Sequence, residues 1–259
     1  MKKLSIVIPC YNEERGFPLK EYHDFLLHNP GNKLCFVNDG STDGTLGTLR
    51  ELQSQFPNNI GLLTYPYNKG KAEAIRIGIH YCNKNYKHSN IAFLDADLST
   101  SLDECQTLST YLQDGVVFVF GSRIMKIGST IVRSRFRFIT GRIIATLISS
   151  ILNLKVYDTQ CGCKLFTRQA SEIAFEAPFI SRWLFDVEIF QRFIGYYGRK
   201  LVLHKMAEIP LRRWIDMGDS KVKPNYFFKL WVDLYKIKRN YKRKKSTVLC
   251  LTYAIPEDV

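Results

Sequence analysis

The chain has 259 residues, 46% of them hydrophobic, which is enough for one large α/β domain, or two small ones, with a substantial core. A formal net charge of +13 calls for an anionic partner: nucleic acid, an acidic membrane surface or a phosphate-bearing substrate. The seven cysteines are odd in number and lack C-x-x-C or zinc spacing, so they argue against a disulfide framework and read as reduced thiols of a cytosolic compartment.

At the N-terminus, two lysines lead into a short apolar run, Leu4 to Ile8, that stops at Pro9; this is a first strand rather than a signal peptide. Further apolar runs follow at Leu34 to Val37, Ile60 to Thr64, Ile91 to Leu94 and Val116 to Phe120, with helical patterns at Thr45 to Gln55 and Lys71 to Cys82 between them. Such alternation predicts an α/β fold with a mainly parallel central sheet flanked by helices. Ligands of open α/β sheets sit beyond the carboxyl ends of the strands, and here polar and glycine residues gather at each of those ends.

The first loop, Pro9 to Glu14, offers the Tyr11 ring for base stacking and Glu13 as an acceptor for sugar hydroxyls, the alternative for either being to cover the sheet edge. In the second, Asn38 to Thr45, the glycines permit a tight loop and Asp39 can accept hydrogen bonds from a base or ribose, while Asp43 or Thr45 caps the next helix. The third, Asn68-Lys69-Gly70-Lys71, opens a helix whose N-terminal amides and flanking lysines favour anionic groups. The fourth is the most informative: Asp95-Ala96-Asp97 ends a buried run and places two hard oxygen ligands on one face if the chain stays extended, the alternative being a solvated turn. There is no G-x-G-x-x-G or G-x-x-x-x-G-K-[ST], which argues against a nicotinamide dehydrogenase or a P-loop NTPase.

Farther on, residues 131–154 carry arginines and then branched aliphatics at helical spacing, one or two amphipathic helices that either pack on the domain or lie on an anionic lipid surface. Cys161 and Cys163, one residue apart, read as buried or loop thiols rather than metal ligands. Residues 227–235 are aromatic and helical, then give way to a lysine-rich stretch that is solvated or rests on acidic headgroups. No stretch reaches the roughly 20 apolar residues that span a bilayer, so membrane contact is expected to be peripheral.

Taken in order, I-V-I-P-C-Y-N-E-E, V-N-D-G-S-T-D-G-T, N-K-G-K-A and F-L-D-A-D resemble the family 2 glycosyltransferases of GT-A fold. The resemblance covers roughly the first 220 residues, a size that suits one domain. It implies a catalytic domain over 1–225, with 131–154 as a membrane-facing segment, and a basic aromatic tail over 226–259. It also implies Pro9, Tyr11, Glu13, Val37, Asp39, Lys71 and Ala96 as contacts of a nucleotide sugar, and Asp95 and Asp97 as ligands of Mg2+ or Mn2+ on the donor diphosphate. Gly121-Ser-Arg123, Asp158 to Phe166, Arg182 to Glu188 and Gly218 to Lys221 narrow the resemblance to the dolichyl-phosphate glucosyltransferase branch.

What this implies is inverting transfer of a hexose, glucose from UDP-glucose being favoured, onto a polyprenyl phosphate at the cytoplasmic face of a membrane. Arg133, Arg135, Arg137 and Lys221 then become acceptor contacts, and Asp97, Arg123 and Asp186 the catalytic set. Mannosyl relatives often carry glutamine where this chain has Ser99. An acceptor phosphate needs no strong base; a sugar hydroxyl, as in polysaccharide assembly, would need Asp186 or Glu188, unless these only pair with Arg182 or Lys164. Two rivals are a nucleotidyltransferase, which would release pyrophosphate, and a non-catalytic nucleic-acid binder. For the latter no RNP, zinc-finger or helix-turn-helix signature is present, and nucleic acid is not an expected partner.

Overall fold

A computed structural model describes residues 3–216 and 230–241, without the side chains of 135–137. Its strands are β1 (Leu4–Cys10), β2 (Lys33–Asp39), β3 (Ile60–Tyr65), β4 (Asn90–Phe93), β5 (Phe118–Ser122), β6 (Thr130–Val132), β7 (Lys164–Thr167), β8 (Met206–Pro210) and β9 (Arg213–Ile215). The helices are α1 (Leu19–His28), α2 (Thr45–Gln55), α3 (Lys71–Asn85), α4 (Leu102–Ser109), α5 (Arg135–Leu152), α6 (Arg168–Phe175), α7 (Phe185–Val202) and α8 over 230–241.

Seven strands form one sheet in the order β3-β2-β1-β4-β7-β5-β8, and β6 and β9 form a small parallel pair. All neighbours in the large sheet are parallel except β7, which lies antiparallel between β4 and β5. Apolar residues of β1 and β2 are buried on both faces, as strands covered by helices on each side require. One face packs against α3, α5, α6, α7 and α8; the other against α1, α2 and α4. Gly78 lets α3 approach the sheet, since a Cβ there would lie 2.4 Å from Val7 Cγ1.

The reversed β7 positions the site. Phe93 and Phe120 both pair with Lys164, its first residue, so the segment that leads into β7 arrives at the carboxyl ends of β4 and β5. There it meets the loops of the parallel strands. The expected helix over 131–154 begins later, because β6 takes Thr130–Val132 and pairs with β9. The sequence sets 226–259 apart as a tail; of it, α8 buries Leu230, Leu234 and Ile237 in the core. The six described cysteines are buried free thiols.

Candidate active site

The first two loops are stapled by their own polar residues. Thr45 Oγ1 accepts from the Glu13 amide at 2.8 Å, Asn12 Oδ1 from the Thr42 amide at 2.9 Å, and Glu14 Oε2 from the Gly44 amide at 2.9 Å. Asp43 closes the start of α2 by accepting from the amide and hydroxyl of Thr45. Tyr11 stays exposed above this frame. Pro9 is half-buried and in register with Val37, whose side chain lies in the core.

Asp39 has a structural duty that its motif does not announce. Only 2% exposed, it accepts from the amides of Lys69 and Gly70, each at 2.8 Å, and so ties the second loop to the start of α3. Gly70 adopts φ 95, a conformation natural to glycine, with the aliphatic part of Arg182 resting on it. Each carboxylate oxygen keeps a further lone pair for a ligand.

Beyond Phe93 the chain leaves the extended geometry that the sequence pattern assumes. Residues 94–98 turn, the Leu98 amide donating to Asp95 O at 3.2 Å with Leu98 at φ 51. Tyr22, buried in α1, donates its hydroxyl to Ala96 O at 3.0 Å and pins the turn from below. Asp97 Oδ1 accepts from the Ser99 amide at 2.9 Å, and the Ser99 side chain also hydrogen-bonds to this carboxylate. Burial first, and the neighbouring Asp95 second, push the Asp97 carboxyl above its ordinary range.

Asp95 is gripped from two sides. Lys71 Nζ lies 2.5 Å from its Oδ1, and Gly162 packs so closely that a Cβ there would sit 2.1 Å from Oδ2. Among the described residues there is no group of three or more His, Cys, Asp or Glu fit to hold a metal. Two hard carboxylates with no further protein ligand suit Mg2+ or Mn2+, ions that complete their shells with substrate phosphate and water. The ammonium already drawn to Asp95 is evidence that this spot demands positive charge.

Asp186, in the first turn of α7, lies inside the same cluster, within electrostatic reach of Asp95 and Lys71. Its Oδ1 pairs with Lys164 Nζ at 2.7 Å, a lysine only 1% exposed that also donates to Cys161 O at 2.6 Å. Burial is the main influence on Asp186 and raises its carboxyl despite that lysine. Glu188 is fully buried and accepts from the amides of Ile180 and Ser181, which removes it as a base for any substrate. The ion-pair alternative for Asp186 is thus realised with Lys164, and Glu188 is a structural clasp.

Arg123 also points into this cluster, but its fork is taken. Nε and Nη2 donate to Asp158 at 2.7 and 2.9 Å, and the Trp214 ring centroid lies 5.2 Å from the guanidinium. Burial works against the Asp158 carboxylate, yet Arg123 outweighs it and holds the carboxyl down at about 2. Glu208 accepts from the amides of Tyr157 and Asp158 at 2.9 and 2.7 Å, and Arg133 donates to Arg123 O at 3.3 Å. Asp158 and Gly162 lie in the segment Asp158 to Phe166, whose resemblance implies no role for either; Glu208, a lone acid in M-A-E-I-P, and Tyr22 carry no sequence signal. The side chains of Arg135 and Arg137, and Lys221, lie outside the described residues.

A cavity of about 460 Å³ opens on the other side of Asp97, between α1, α4 and β9, with Glu21, Asp24 and Asp103 on its walls. None of Tyr11, Asp39 and Lys71 lines it, so it is separate from the first three loops.

Residues 5–173 match the family described as Glycosyl transferase family 2. Dolichyl-phosphate beta-glucosyltransferase ALG5A of Trichomonas vaginalis is 31% identical over 247 residues, 90% of this chain and 72% of that protein. The dolichyl-phosphate beta-glucosyltransferase of Homo sapiens is 30% identical over 251 residues, 91% of this chain and 73% of the relative. Among solved structures, mannosyl-3-phosphoglycerate synthase from Rubrobacter xylanophilus superposes with a TM-score of 0.66 at 15% identity, over 95% of this chain and 75% of its own. Glucosyl-3-phosphoglycerate synthase from Mycobacterium tuberculosis, crystallised with Mn2+, UDP and phosphoglyceric acid, does so with 0.65 at 15% identity, over 92% and 78%. These likenesses fix a GT-A fold. With its loops, paired aspartates and reversed strand in place, the chain belongs to glycosyl transferase family 2.

Proposed function

We propose that this enzyme moves glucose from UDP-glucose to dolichyl phosphate or a similar polyprenyl phosphate, with inversion, while bound peripherally at the cytoplasmic face of a membrane. The observation that carries the reading is the meeting of Lys71, Asp95, Asp97 and Arg123 at the exits of α/β strands, in a chain similar over nine-tenths of its length to dolichyl-phosphate glucosyltransferases. A divalent cation held by Asp95 and Asp97 would supply Lewis-acid neutralisation of the leaving diphosphate. Lys71 and the amides opening α3 add fixed positive charge beside it. Tyr11 stacks on the base, and Glu13 and Asp39 accept from the nucleoside.

For the acceptor, the state of Asp186 favours phosphate over hydroxyl. A base must reach its proton, but Asp186 is buried and paired with Lys164. A lipid phosphate is already anionic near neutral pH and attacks without one, its charge met by Arg133 and the edge of Arg123 that Asp158 leaves open. Asp186 and Lys164 then keep the field of the cluster fixed. Met125, Ile127, Val132, Ile139 and Ile143 are exposed apolar residues of the same stretch of chain that carries Arg133, which suits a lipid-borne acceptor. No helix among the described residues is long and apolar enough to cross a membrane.

A donor screen reading nucleoside-diphosphate release, with and without dolichyl phosphate, tests the reading. UDP release from UDP-glucose that rises steeply on adding dolichyl phosphate is expected. Release driven by an oligosaccharide and indifferent to dolichyl phosphate would move the enzyme to polysaccharide assembly.

A further inference from the structure

Asp95 and Asp97, two residues apart and half-buried, need a countercharge whenever the enzyme is without its donor. In this structure that charge is Lys71, with Nζ at 2.5 Å from Asp95 Oδ1. Its attraction is not to Asp95 alone, since Asp186 and Asp97 also favour its ammonium. The lysine is well anchored: it is the first residue of α3, behind a Gly70 whose amide is tied to buried Asp39. The ammonium therefore occupies ground that a cation on Asp95 and Asp97 would need.

We propose that Lys71 holds the cation's place at Asp95 in the donor-free enzyme and crosses to the diphosphate when the nucleotide enters, so that divalent cation and donor bind in mutual dependence. This rests on the metal reading of Asp95 and Asp97 given above. Alone, a divalent ion meets the repulsion of an ammonium already in contact with one of its two ligands. A diphosphate reverses the balance, because it offers Lys71 a new anionic partner and the ion additional oxygen ligands. Coupling of this kind is reciprocal: the nucleotide must gain from the ion what the ion gains from the nucleotide.

The test is Mn2+ binding followed by electron paramagnetic resonance, with and without UDP, on the wild type, Lys71→Met, Lys71→Arg and Asp97→Ala, each checked for thermal unfolding. Wild type is expected to bind Mn2+ about tenfold or more tightly with UDP than without it. Lys71→Met is expected to bind Mn2+ alone about tenfold more tightly than wild type and to lose most of the UDP dependence, and Lys71→Arg to restore the weak binding. Lys71→Met binding Mn2+ alone no more tightly than wild type would overturn the proposal while leaving the metal reading intact. Equal binding by Asp97→Ala and wild type in the presence of UDP would overturn both.

Discussion

Gly162 decides where Asp95 can stand. A methyl group there would lie 2.1 Å from Asp95 Oδ2, so Gly162→Ala must push away either the carboxylate or the segment leading into β7. A loss of transfer of about 100-fold is expected, as for a small misplacement of catalytic groups, with a change in melting temperature of only a few degrees. Wild-type turnover by that variant would contradict the tight fit. His88 is the second informative residue. It is buried, with Nε2 3.0 Å from Asn83 Oδ1, and burial, aided by Arg168, lowers it to about 4 from an ordinary 6.5.

The consequence of His88 is a pH dependence of stability with a definite sign. Between pH 6.5 and 4 the unfolded chain carries the proton and the folded one does not, so this stabilisation is whole above 6.5 and is lost as pH falls towards 4. Its size is about 3 kcal/mol at most. Asp97, Asp186 and Glu188, all raised, tilt the other way as pH rises through their titrations. The difference between wild type and His88→Gln in denaturant unfolding isolates the histidine. It should shrink steadily from pH 6.5 to 4, and a difference independent of pH would refute the assignment.

At the scale of elements, α5 is the helix with two faces. Ala145, Ile148 and Leu152 are buried, while Ile139 and Ile143, one turn apart, are exposed, as are Met125 and Ile127 in the loop before β6. Each isoleucine that enters a bilayer boundary contributes on the order of 1.5–3 kcal/mol. Replacing both with glutamate is therefore expected to weaken binding to vesicles rich in anionic phospholipid by at least about tenfold, with UDP binding unchanged. Undiminished vesicle binding would remove α5 from the membrane surface.

The same elements explain what was legible in the sequence. α2 matches its expected span, and β1 to β4 fall where the apolar runs lie, because parallel strands buried on both faces have local signatures. β7 left none: it is four residues long and opens with a buried lysine whose partner, Asp186, comes from a distant helix. β6 and β9, three residues each and partly exposed, are too short to show a period.

Over the whole molecule, the candidate site was legible as motifs and not as contacts. The aspartates announce themselves because both lie in one short segment, whereas Arg123 and Asp158 are 35 residues apart and meet only through the reversal of β7. Asp39 illustrates the other limit: its motif suggests a ligand contact, and the fold also uses it to lock the loop before α3. The charge of +13 is likewise legible only in sum. It gains meaning once arginines are found beside paired acids and an exposed apolar rim.

If the paired aspartates serve hexose transfer to a lipid phosphate, the extracted lipid product carries the sugar. Enzyme, labelled UDP-glucose, dolichyl phosphate and Mn2+ are incubated, and label is counted in the organic phase for wild type and Asp97→Ala. Label in the lipid that disappears with a chelator, and falls at least about 1,000-fold in Asp97→Ala while that variant stays folded, is the expected result. Label that never enters the lipid, or that enters it equally with Asp97→Ala, would rule out that role for the aspartates.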